Sequence, residues 1–71
     1  MTIAQIKEKI QYGDYITLGK MFNLPTSTTK SRFLREEEKT VKAMQKIIES
    51  REKLIEEFKQ QLIEDYKDFI N

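Results

Sequence analysis

The sequence predicts an all-α fold: an N-terminal head of three short helices, residues 1–35, followed by a long helical arm, residues 36–71. Apolar residues recur at three- and four-residue intervals through most of the chain, which is the period of one helix face. Gly13, Asn23 and Leu24-Pro25 punctuate the first third into short segments. From Glu36 onward there is no Gly or Pro, so a helix started there meets no breaker.

Thr2 is placed to cap the first helix, in which Ile3, Ile6 and Ile10 share a face while Lys7, Glu8 and Lys9 turn to water. Gly13 stops it. Asp14 is expected to N-cap a second helix reaching Phe22, with Leu18, Met21, Phe22 and either Tyr15 or Ile16 facing inward. Gly19 inside so short a helix costs about 1 kcal/mol relative to alanine, so it implies that another backbone comes close. Asn23 stands where a helix ends in a left-handed residue, a conformation asparagine tolerates, and Leu24-Pro25 makes a turn. Either Thr26 or Ser27 then caps a third helix running to about Arg35, with Thr29 and Phe33 inward and Leu34 near its end.

Glu36, Glu37 and Glu38 suit the positive end of a helix dipole and are expected to form the first turn of the arm. Val41, Met44, Ile48, Ile55, Phe58, Leu62 and Phe69 make a three-four alternation interrupted at Arg51 and Asp65; Ala43, Ile47, Leu54, Ile63, Tyr66 and Ile70 run beside it. The combined stripe is wider than a bare two-stranded seam. It fits one helix of about 30 residues, or two helices broken between Glu49 and Arg51, where Ser50 is a weak former. The head is too small to cover all of it. That points to a homodimer seam through Ile48, Ile55, Phe58 and Leu62, with Arg51 pairing with Glu52 or Glu56 of a second copy.

Composition narrows the functions. Cysteine and histidine are both absent from the 71 residues, which removes disulfides, thiolate chemistry, the common zinc ligand sets and the usual neutral-pH general base. No enzyme is expected, and no cofactor, metal or small-molecule site is legible. There is no apolar run near the ~18 residues of a membrane span and no signal-peptide core, so no membrane partner and a cytoplasmic location are expected. The net charge of +1 hides an asymmetry: residues 1–35 carry six basic against two acidic side chains, a net +4, and residues 36–71 carry seven against ten, a net −3. One end is suited to a polyanion and the other to something else.

A short helix, a turn of about three residues, and a second short helix with a small polar outer face form the layout of a helix-turn-helix. Over about residues 14–35 the sequence resembles the DNA-binding helix-turn-helix of Cro-like phage repressors and related small regulators of mobile elements. Leu18 and Gly19 stand where the motif has an apolar residue and then a very small one, and Asn23-Leu24 where Gly-Val is usual. The following "TSTT" looks like the polar start of a recognition helix. Arg32 stands where Ile or Val is usual, with Phe33 displaced by one and Thr29 replacing the earlier aliphatic residue; this offset turns Arg32 partly inward. The resemblance implies a repressor-like regulator that binds double-stranded DNA sequence-specifically. Its recognition helix, about residues 26–35, would lie in the major groove. Two such helices on a symmetric dimer would enter successive grooves about 34 Å apart.

The residues suit that chemistry. Thr26, Ser27, Thr28 and Ser31 have short hydroxyl side chains that let a backbone approach the groove floor and exchange hydrogen bonds with bases or phosphates. Lys30, Arg32 and Arg35 can neutralise phosphates, and an arginine can pair with a guanine edge. Plainer readings stand beside these. Ser27 and Thr28 serve equally as capping residues; Tyr12 and Tyr15 either brace a phosphate or belong to the core; Lys7 and Lys20 are equally solvated helix charges or DNA contacts and stand outside the core site. "STTK" fits the S-x-x-K of serine acyl enzymes only formally, since the partner motifs and large scaffold are missing. The rival class is a helical interaction or assembly adaptor, phage- or plasmid-derived or antitoxin-like, whose head docks a protein instead of DNA.

Overall fold

The computed structural model describes residues 1–70, with side chains as far as Lys67. Four helices follow in order: α1 (Ile3–Lys9), α2 (Asp14–Phe22), α3 (Thr26–Leu34) and α4 (Glu38–Ile70). The expected fold class is observed, and the arm is one 33-residue helix with no break at Ser50. Phe69 and Ile70, assigned to the arm stripe from sequence, lie outside the described side chains. Among the described residues no helix is long and apolar enough to cross a membrane.

Local chemistry sets each boundary. The Thr2 hydroxyl accepts from the Gln5 N–H while the Gln5 side chain accepts from the Thr2 N–H, a reciprocal capping box at the start of α1. At the α2 start, Gly13 at φ 95° takes the N-cap position expected of Asp14, so Asp14 is the first helical residue and the helix begins one residue earlier than expected. The Asp14 carboxylate instead accepts from the Gln11 N–H of the α1–α2 loop at 2.7 Å. Helix α2 ends at Asn23, left-handed at φ 54° as expected, with the Leu24 N–H bonded to the Gly19 carbonyl and the Asn23 N–H to that of Lys20. Helix α3 ends the same way: Glu36 is left-handed at φ 61°, the Glu36 N–H bonds the Phe33 carbonyl and the Glu37 N–H bonds that of Arg32. Glu36 and Glu37 thus belong to the turn. Of the glutamate triplet only Glu38 enters α4, where its hydrogen bond to Lys42 at 2.9 Å and that lysine's charge hold its carboxyl below the ordinary range.

The core is built from all four helices: Ile6, Leu18, Phe33, Met44 and Ile48 are essentially inaccessible, with Ile10, Tyr15, Phe22, Val41, Ala43 and Ile47 packed around them. Tyr15, not Ile16, is the inward member of its pair, and Met21 and Leu34 are about half exposed. Because Met44 and Ile48 complete the core, the compositional division at residue 35 does not divide the packing. Ile48, expected in a dimer seam, is instead 0% exposed within a single chain. Its burial follows from position: it lies only three turns into α4, where the helix still runs under the head.

Arg51 is likewise claimed by its own chain. Its guanidinium donates to both Asp14 oxygens, at 2.6 and 2.8 Å, and to the Lys9 carbonyl at 2.7 Å, so the expected pairing with a second copy's glutamate is not where this side chain is spent. Lys9 and Glu52 add an outer pair at 2.8 Å. Beyond this point α4 leaves the head; the molecule measures 53 × 24 × 17 Å.

Three changes test this architecture. A Cβ on Gly19 would sit 3.0 Å from the Leu24 carbonyl oxygen and 3.4 Å from the Thr26 Cα. Gly19→Val is therefore expected to destabilise by about 1–3 kcal/mol in denaturant unfolding, since both opposing atoms are backbone. Glu36→Gly relieves a left-handed non-glycine residue and is expected to raise stability by about 1 kcal/mol. Arg51→Met, which leaves the buried Asp14 carboxylate unpaired, is expected to cost about 3 kcal/mol, and adding Asp14→Asn to recover part of it. Additive losses in that pair of variants would mean that the ion pair does not couple α4 to the head.

Candidate nucleic-acid interface

Helices α2 and α3 are joined by the three residues Asn23, Leu24 and Pro25. What lets them meet is Gly19: with no side chain, α2 admits the turn carbonyl of Leu24 and the first residue of α3 against its backbone. On α3, Thr29 and Phe33 are fully buried. The Thr29 hydroxyl is satisfied by donating to the Thr26 carbonyl at 3.0 Å, so it needs no outside partner. Phe33 meets the Tyr15 ring edge-on, with centroids 5.9 Å apart and planes at 70°.

Fixing Thr29 and Phe33 inward fixes what the opposite face presents, because successive helical residues turn by about 100°. Ser27, Ser31 and Arg35 fall on the outer face with Leu34 beside them, and all four are exposed. Thr26 and Lys30 form one shoulder, exposed; Thr28 and Arg32 form the other, half-buried. Neither Thr26 nor Ser27 is the cap: Pro25 is, and no side chain caps the helix. The Pro25 carbonyl accepts from Thr28 and Thr29, while the first N–H groups of such a helix have no partner within it.

The cations are not equivalent. The Lys30 ammonium lies 5.4 Å from the centroid of the Tyr15 ring, a cation–π distance that holds it on that shoulder. Burial raises the Tyr15 phenol above its ordinary range, so the ring beneath Lys30 stays neutral. Arg32 leans to the other side, its Nε 3.9 Å from Glu37, with both side chains more than a third accessible. Arg35, at the helix end, is exposed.

Two residues gain weight that the sequence did not give them. Lys20 lines a shallow depression between α2 and the start of α3, together with Ile16, Asn23 and Thr26; its position in the last turn of α2 was the available signal. Tyr15 supports both Phe33 and Lys30. Tyr12, by contrast, is fully exposed at the α1–α2 loop. Comparison with protein-family models, with curated proteins and with solved structures finds no match for the chain.

Proposed function

We propose that the chain is a sequence-specific double-stranded DNA-binding regulator, repressor-like and cytoplasmic, of a phage or mobile element, with α3 as the helix that enters the major groove. The observation that carries this reading is the outer face of α3. Ser27, Ser31 and Arg35 stand exposed there, backed by the fully buried Thr29 and Phe33. Short hydroxyls let the α3 backbone come close to base edges, and the uncapped start of the helix offers N–H donors and a positive dipole end to a phosphate. Lys30 and Arg35 flank that line with charge, and Lys20 at the neighbouring helix end extends it. Binding at an operator would block or recruit polymerase.

The apolar arm gives the adaptor reading a foothold, since a solvent-facing stripe also suits a protein partner. Duplex DNA decides between the two. In fluorescence anisotropy at 50 mM and 200 mM salt, the DNA-binding reading requires affinity that falls steeply with salt; no binding to the DNA upstream of its own coding region or to random duplex would overturn it.

Two variant sets resolve the interface further. Lys30→Ala and Arg35→Ala should weaken binding to every duplex alike and lower the salt slope by about one unit each. Ser27→Ala and Ser31→Ala should cost about 1–3 kcal/mol on a selected site and little on random DNA. Arg32→Ala should matter less than Arg35→Ala, because Arg32 is turned toward Glu37; an equal loss would place Arg32 on the duplex.

A further inference from the structure

Beyond Arg51 every described side chain of α4 is exposed, including six large apolar residues: Leu54, Ile55, Phe58, Leu62, Ile63 and Tyr66, between 47% and 69% accessible. We propose that this segment pairs with the same segment of a second copy in antiparallel orientation, with the two heads at opposite ends of the shaft.

The orientation follows from continuity along α4. Met44, Arg51 and Phe58 succeed one another at seven-residue steps, and so do Ile48, Ile55 and Leu62, so each series stays on one side of the helix. The head occupies that side over Thr40, Met44 and Ile48, all 0% exposed, and Arg51 closes its lower edge through Asp14 and Lys9. The exposed stripe is the same stripe, uncovered. A second α4 laid along it in parallel and in register would pass through the first chain's head. Laid antiparallel, it covers residues 52–67 and carries its own head clear of the first.

The occupant is a second copy because four of the six apolar residues of the stripe match one another when it is reversed, while Ile55 and Ile63 come level with Asp65 and Glu57. Leu54, Phe58, Leu62 and Tyr66 stand at four-residue spacing symmetrically about Gln60, so inversion sets Phe58 against Leu62 and Leu54 at the level of Tyr66, as a two-fold interface requires. The area also suffices: at ~100 Å² of open surface for each of the six side chains, two copies bury about 1,200 Å², the lower bound of a standard stable interface. A dyad at residue 60 puts the two Lys39 positions about 60 Å apart and the two Lys67 positions about 20 Å apart along the shaft. Under the DNA-binding reading, the half-sites would then be separated by more than the one duplex turn expected from sequence; that corollary alone depends on that reading.

The test uses no DNA, so its outcome is independent of the proposed function. Sedimentation of the full chain at tens of micromolar should give a dimer, and Phe58→Asp/Leu62→Asp a monomer whose head still unfolds cooperatively by circular dichroism, since both residues lie outside the core. The chain has no cysteine, so Lys39→Cys and Lys67→Cys each carry a single spin label. Electron–electron distances should be long between Lys39 positions and short between Lys67 positions. A monomeric parent, a dimer that survives the double substitution, or short distances at both positions would each overturn the proposal.

Discussion

Met44 and Ile48 of α4 lie against Ile6 of α1, Leu18 of α2 and Phe33 of α3, and the rest of the structure depends on that meeting. Three helices of seven to nine residues are each too short to be stable alone and present too little apolar surface to close a core among themselves. The first three turns of α4 supply the missing wall. Thr40 joins them fully buried, its hydroxyl satisfied by Glu37 at 3.1 Å, so the wall introduces no orphaned polar group.

The same wall fixes direction. Arg51 holds α4 to the α1–α2 corner by three hydrogen bonds, two to a carboxylate that is itself nearly buried. A helix anchored at Met44 and Ile48 alone could tilt; anchored also at Arg51, it leaves the head along one line. The face of α3 and the first turns of the arm are therefore fixed against the same core.

On α3, the packed and the solvent-facing residues are separated by rotation. Thr29 spends its hydroxyl on the helix backbone, and Phe33 and Tyr15 form an aromatic brace that also seats Lys30. Ser27, Ser31 and Arg35 leave their polar groups facing solvent. The turn that makes this possible is held by two backbone hydrogen bonds at Asn23 and Leu24 and by the absence of a side chain at Gly19.

Local signals were sufficient for much of this. The Thr2 cap, the left-handed Asn23, the close approach at Gly19, the inward Thr29 and Phe33 and the helical arm all follow from spacing and from what individual residues tolerate, because each is decided within a few positions of the chain. The choice of Tyr15 over Ile16, the shift of the α2 cap from Asp14 to Gly13, the burial of Ile48 and the commitment of Arg51 to Asp14 were decided only in three dimensions. Asp14 and Arg51 are 37 residues apart, and nothing in the local pattern of either announces the other. Ile48 and Ile55 share one side of the same helix and are indistinguishable by period, yet one is sealed and the other open. The period says which side of a helix is apolar, whereas where the head ends along that side depends on how far three other helices reach.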